Sequence, residues 1–234
     1  MNQSGFSARF EWGEAGLSAL GPGSDAIVVV DVLCFTTCVD VAVARGAEVL
    51  PYRWNDGTAA DYARQKAADL AGRRGERWSL SPQSFGNVVA GTRIVLPSPN
   101  GSALSFACDA PVVLAGCLRN AAAVARAARS AGPRVAVIAA GERWPDGSLR
   151  PCLEDLLGAG AVLSHLPGVR SPEAEAAAGA FGSLKDRLRR ALADTASGRE
   201  LISWGYEGDL DLAAELDVSA AAPRLEDGSY RAIG

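Results

Sequence analysis

The sequence predicts an α/β fold with a mostly parallel sheet covered by helices on both faces. Three observations carry this. Short apolar, β-branched runs alternate with Ala-rich segments at helical spacing along much of the chain. The first such run, Ala26-Ile-Val-Val-Val-Asp31, has no polar alternation, which marks a strand buried on both faces. Short Gly-, Pro- and Asn-containing turns separate the segments, the rhythm of βαβ crossovers.

The elements follow in order. After the strand ending at Asp31, Thr36 to Arg45 has helical spacing with Gly46 as its C-cap. Glu48 to Tyr52 reads as a strand and Asp56 to Leu70 as an Ala-rich helix closed by Gly72. Arg93 to Pro97 is a strand, followed by the turn Ser98-Pro99-Asn100-Gly101 and a helix from Ser102 to about Cys108. Pro111 to Gly116 and Asn120 to Ser130 repeat strand and helix, as do Arg134 to Ala139 and Leu153 to Leu166. Beyond Pro167 the spacing predicts one long exposed helix from Pro172 to about Thr195, then one or two short helices over Gly198 to Leu216. Ala221 to Ile233, with Asp227-Gly228 at its turn, predicts a terminal hairpin. No Gly/Ser/Pro-rich linker divides the 234 residues, so residues 1–234 are expected to form one domain.

Composition narrows the partners. The chain is 48% hydrophobic and 21% charged, an ordinary globular balance that allows a sizeable core. A net charge of −4 and a single basic stretch, Lys185 to Arg190, argue against nucleic acid, which requires a concentrated basic face. No apolar run approaches the roughly 20 residues that cross a bilayer. The N-terminus lacks the basic-then-apolar pattern of a signal peptide. Five scattered cysteines, Cys34, Cys38, Cys108, Cys117 and Cys152, include no C-x-x-C pair. The expectation is a cytoplasmic protein with reduced thiols. A homodimer is expected only from the commonness of twofold assemblies.

The polar residues able to do chemistry follow the strands, where ligands of open α/β sheets bind. Asp31 ends the first strand; a carboxylate there can hold a metal ion, while Thr36 and Thr37 can cap the next helix or grip a phosphate. Ser98-Pro-Asn-Gly-Ser102 is a Gly-containing turn into a helix, able to point backbone N–H groups at an anion. Gly116 to Asn120, with Arg119, is a third such corner. The fourth cluster runs from Glu142 to Asp155, where the hard oxygen ligands Glu154 and Asp155 suit Mg²⁺. Taken singly, each has a plainer explanation: an N-cap, a turn, or acids facing a helix dipole. Their recurrence at successive strand ends is harder to dismiss.

Other hydrolase templates fail. His165 is the only histidine and lies on an apolar helical stretch, which sets aside Ser-His-Asp and Cys-His mechanisms. There is no phosphate-binding Gly-x-x-x-x-Gly-Lys-Ser/Thr loop. Asp40 stands where a cysteine phosphatase loop starting at Cys34 would need Arg, and Leu33 where an Asp-x-Asp motif would need its second Asp.

Taken in order, Asp31-Val-Leu-Cys-Phe-Thr-Thr37, Ser98-Pro-Asn-Gly-Ser-Ala-Leu104, Gly116-Cys-Leu-Arg-Asn120 with Ala123-Val124, and Leu153-Glu-Asp155 with Ala159-Gly160 resemble the 2-phosphosulfolactate phosphatase (ComB) family. A weaker match runs through Gly205-Tyr-Glu-Gly-Asp209 towards Pro223. The resemblance implies a three-layer α/β/α fold, dependence on Mg²⁺ and hydrolysis of a small acidic phosphate ester, which in archaeal members belongs to coenzyme M biosynthesis. On that basis Asp31, Glu154 and Asp155 are assigned to the metal, with Asp31 and Asp155 as the catalytic pair. Thr36, Thr37, Asn100, Gly101, Ser102 and Asn120 are assigned to the phosphate and the acidic remainder of the substrate. Whether water or Asp31 itself is the nucleophile stays open. One departure stands out: the family commonly carries Arg after Asp-Val-Leu, and this chain has Cys34. A neutral thiol cannot replace a bidentate phosphate partner. Arg119, Arg143 and Arg150 are candidate substitutes, and the alternative reading is a weak or inactive anion-binding homologue.

Overall fold

The structure, a computed structural model, describes residues 3–53, 56–108 and 110–232. Among the described residues, nine strands share one sheet. In chain order they are β1 (Ala8–Trp12), β2 (Ala26–Val30), β3 (Glu48–Tyr52), β4 (Asp69–Leu70), β5 (Arg93–Pro97), β6 (Val113–Gly116), β7 (Val135–Ala139), β10 (Pro223–Glu226) and β11 (Ser229–Ala232). A separate two-stranded ribbon pairs β8 (Glu142–Arg143) with β9 (Leu149–Arg150). The helices are α1 (Gly13–Leu20), α2 (Phe35–Val43), α3 (Gly57–Gln65), α4 (Gly101–Ala107), α5 (Ala121–Ala131), α6 (Leu153–His165), α7 (Pro172–Leu184), α8 (Leu188–Asp194), α9 (Ala196–Ser203) and α10 (Glu207–Ala213).

The sheet order is β1-β7-β2-β6-β10-β11-β3-β5-β4. Pairing is parallel within β1-β7-β2-β6 and within β3-β5-β4, and antiparallel at β6-β10, β10-β11 and β11-β3. The terminal hairpin is therefore the bridge between two parallel groups. Three antiparallel steps make those groups run in opposite senses. The end of β5 nevertheless meets the end of β2, where the Gly101 N–H donates to Asp31 Oδ2.

The layers follow from the alternation of side chains along each strand. All five residues of β2 are fully buried. Val28 and Val30 pack in one core with residues of α2, α5 and α6, while Ile27 and Val29 pack on the opposite face with Leu17, Leu20 and Leu104 of α1 and α4. Each of these aliphatic side chains contributes about 1.5–3 kcal/mol by leaving water. Helices on both faces of a mixed, mainly parallel sheet make the predicted three-layer α/β/α arrangement.

Several boundaries differ from expectation, each for a local reason. Before Ala26 the chain already forms β1 and α1; β1 pairs with β7 at the sheet edge. The helix expected to reach Leu70 stops at Gln65, because Ala67 takes a left-handed φ of 49° and Asp69–Leu70 joins β5. The long helix expected over Pro172 to Thr195 is broken: α7 ends at Leu184, a 3₁₀ turn covers Lys185–Arg187, and α8 restarts at Leu188. It is not uniformly exposed either. Ala174, Ala177 and Phe181 are buried, and α7 comes so close to α6 that a Cβ on Gly160 would stand 2.2 Å from the Ala177 carbonyl oxygen. The hairpin expectation ran to Ile233, which lies outside the described residues.

Candidate functional site

The site grows from the loop that follows β2. Asp31 leaves the strand with its backbone pinned by Thr36, whose hydroxyl accepts from the Asp31 N–H at 3.0 Å and donates to the Asp31 carbonyl at 2.7 Å. Thr37 donates to the Val32 carbonyl at 2.7 Å. The carboxylate is then oriented from both sides: Oδ1 accepts from the Phe35 N–H at 3.3 Å, and Oδ2 from the Gly101 N–H at 2.9 Å. The second contact explains the glycine. A Cβ at position 101 would lie 2.8 Å from Asp31 Oδ2 and 2.4 Å from the Phe35 ring.

The end of β7 is tied to the same loop. Asp155, in the first turn of α6, accepts from the Val32 N–H at 2.7 Å with Oδ1 and from the Gly141 N–H at 2.8 Å with Oδ2. Gly141 has a φ of 64°, a conformation that glycine adopts without strain. Beyond it Glu142 turns inward and accepts from Asn100 Nδ2 at 3.1 Å. Three chain segments thus converge, after β2, β5 and β7.

They enclose a cleft of about 210 Å³ whose wall includes Asp31, Cys34, Arg74, Asn100, Glu142 and Glu200. Its acids repel one another. Burial, with the charges of Glu142 and Glu154 adding to it, pushes the Asp31 carboxyl up to about 6, against the pull of its two N–H donors. Burial, then Asp31 and Glu154, likewise raises Asp155. Such a set favours a cation or a protonated neighbour.

The sequence-selected residues divide by where they point. Asp31 and Asn100 line the cleft, and Gly101 abuts it through its N–H on Asp31. Thr36, Thr37, Ser102 and Asn120 are completely buried and do not line it. Their polar atoms brace the strand ends instead: Ser102 donates to the Leu96 carbonyl at 2.9 Å, and Asn120 spans the Cys117 N–H and the Ala115 carbonyl. Asp155 stands behind the Asp31 loop with both oxygens engaged. Glu154 faces a neighbouring cavity with Arg150, Arg187 and Thr195. Glu142 could have been found by the same strand-end logic that selected Asp31. Arg74 lies in an irregular segment with no periodicity to reveal its direction.

None of the proposed substitutes for an arginine at position 34 lines this cleft. Arg119 pairs with Asp40 at 2.9 Å, Arg143 with Glu14 at 3.3 Å, and Arg150 lies over the Trp144 ring. Cys34 itself is a buried thiol, pushed by burial up to about 12.

Among the described residues, no three His, Cys, Asp or Glu side chains form a ready-made metal cage. The donor set nevertheless fits Mg²⁺, which commonly takes one or two carboxylates and completes its shell with water and substrate phosphate. Asp31 and Glu142, hard oxygen donors on one cleft wall, meet that demand.

Comparison with known proteins gives this geometry its class. A family model described as 2-phosphosulpholactate phosphatase matches residues 19–228. A probable 2-phosphosulfolactate phosphatase of Gloeobacter violaceus is 35% identical over 213 residues, covering 86% of this chain and 88% of the relative. The 2-phosphosulfolactate phosphatase of Methanothermobacter thermautotrophicus is 30% identical over 216 residues, covering 88% and 89%. A probable member from Thermosynechococcus vestitus is 31% identical over 220 residues, covering 85% and 88%. The α/β/α fold and its acidic strand-end cleft are those of a phosphoric monoester hydrolase. The chain belongs to the 2-phosphosulfolactate phosphatase family. No helix among the described residues is long and apolar enough to cross a membrane.

Proposed function

We propose that this chain is a Mg²⁺-dependent phosphatase that hydrolyses 2-phosphosulfolactate to 3-sulfolactate and phosphate. The observation that carries the reading is the convergence of Asp31, Asn100 and Glu142 on one cleft, from segments far apart in sequence. Family membership supplies the substrate class. A setting in coenzyme M biosynthesis belongs to the same reading; a cytoplasmic setting fits the five free cysteines. Assembly as a homodimer remains part of the proposal.

The chain's own residues do the positioning. Asp31 and Glu142 would hold the ion, which when bound neutralises charge on the phosphoryl oxygens. Asn100 Nδ2 fixes the Glu142 carboxylate. The Phe35 and Gly101 N–H groups stop the Asp31 carboxylate from rotating, so no reorganisation is needed when charge develops opposite it. Asp155 locks the loop carrying Asp31 onto the end of β7 and acts through position rather than contact.

The test is a substrate panel with purified protein: 2-phosphosulfolactate, 2-phospholactate lacking the sulfonate, and a phosphomonoester lacking the carboxylate, each with Mg²⁺ and with EDTA. The reading expects phosphate release from the first, strongest with Mg²⁺. Equal release from all three, or none from the first, would contradict it.

A further inference from the structure

Among the described residues, Arg74 is the only cationic side chain on the cleft wall, whose other charged groups are the carboxylates of Asp31, Glu142 and Glu200. Its position is fixed from three directions. Nη1 stands 2.6 Å from Asp209 Oδ2, Nη2 3.6 Å from Cys34 Sγ, and the guanidinium lies 4.9 Å from the Tyr206 ring centroid. Asp209, completely buried, is held in turn: its other oxygen accepts from the Ser81 hydroxyl at 2.6 Å and the Gln83 N–H at 3.4 Å. An arginine anchored this way loses little freedom when it binds a ligand.

We infer that Arg74 is the residue of this chain that binds the phosphate of the substrate, positioned by Asp209 and Tyr206 in space left open by the small Cys34 side chain. The inference rests on the phosphatase reading and names its anion-binding group. Charge supports it. A phosphomonoester dianion entering a cleft of three carboxylates meets repulsion unless a cation stands within contact distance. Donor count agrees: a guanidinium has five N–H donors, and the contacts to Asp209 and Cys34 employ one Nη atom each, leaving donors for a ligand. A purely structural arginine would only tie the segment before Ser81 to α10, and phosphate affinity would not depend on it.

The experiment uses the full chain with saturating Mg²⁺. Inorganic phosphate is titrated calorimetrically into wild type, Arg74→Lys and the double variant Arg74→Gln/Asp209→Asn, and KM and kcat for 2-phosphosulfolactate are measured alongside. The lysine variant keeps the ion pair with Asp209, and the double variant leaves no orphaned buried carboxylate, so at least one is expected to fold, checked by its thermal midpoint. Arg74→Lys should weaken phosphate by about tenfold and raise KM more than it lowers kcat; the double variant should weaken phosphate further. Folded variants whose phosphate Kd and KM match wild type would overturn the inference. A wild type that binds phosphate through Arg74 but releases none from the ester would overturn the phosphatase reading alone. A wild type that neither binds phosphate nor cleaves the ester would overturn both.

Discussion

The main-chain N–H of Gly101 donates to Asp31 Oδ2 across 2.9 Å and joins the ends of two strands that lie in oppositely running halves of the sheet. No side chain stands between them, and none could. Gly101→Ala would drive a methyl group into both the carboxylate and the Phe35 ring. The expected result is a stability loss of about 1–3 kcal/mol by overpacking, with a larger fall in kcat/KM because Asp31 must move. A thermal midpoint and a rate constant, measured on the same preparation, check both halves.

Thr36→Val tests the same loop from the other side. The valine keeps the volume but leaves the buried N–H and carbonyl of Asp31 without the hydroxyl that serves both. Stability should fall by about 1–3 kcal/mol. Substrate KM should change less than kcat, since the hydroxyl does not line the cleft. A fall in KM-dependent binding alone would return Thr36 to the phosphate.

Asp155→Asn replaces one of two acceptors with a donor that must face the N–H of Val32 or Gly141. It also removes a charge that repels Asp31 and Glu154. The lost hydrogen bond costs about 1–3 kcal/mol, and the corner that carries Glu142 loosens. The variant should lose most of its turnover while still binding Mg²⁺, as isothermal titration of the metal would show. Loss of metal binding with the fold intact would make Asp155 a ligand.

Stability without metal should depend on pH through Asp31. Its folded value, about 6, lies above the ordinary 3.8, so between these limits the native state holds a proton that the unfolded chain has released. Native stability therefore falls as pH rises through that window, by on the order of 3 kcal/mol from this group. Comparison of wild type with Asp31→Asn isolates the effect. Their difference in unfolding free energy in EDTA should shift towards the variant between about pH 4 and pH 7. A constant difference would mean that Asp31 is not electrostatically strained.

The sheet was legible where its strands are parallel and buried on both faces. β2, β5, β6 and β7 announce themselves as short apolar runs, because no polar side is needed. β1 also carried a signal, the alternation Ala8-Arg9-Phe10-Glu11-Trp12, but it is short and sits at the sheet edge. The insertion of the terminal hairpin into the middle of the sheet has no local signature; it rests on pairings of Arg224 with Leu114 and Tyr230 with Val49. In the site, strand-end position identified Asp31 and Asn100 but could not separate residues that face the cleft from those that brace it. Thr36 and Asn120 occupy the same kind of corner, but their side chains close local turns onto Asp31 and Cys117 rather than facing the cleft. Arg74 was invisible because its direction is set by Asp209, distant in sequence, and not by any local period.

The central claim is that Asp31 organises a metal-assisted phosphatase site. It is tested most directly by phosphate release from 2-phosphosulfolactate in wild type and Asp31→Asn, each titrated with Mg²⁺ after EDTA treatment. Wild-type turnover should rise from background to saturation with Mg²⁺, and a folded Asp31→Asn protein should turn over at least about a hundredfold more slowly at every metal concentration. Wild-type turnover that is indifferent to EDTA, or an Asp31→Asn variant as active as wild type, would contradict it.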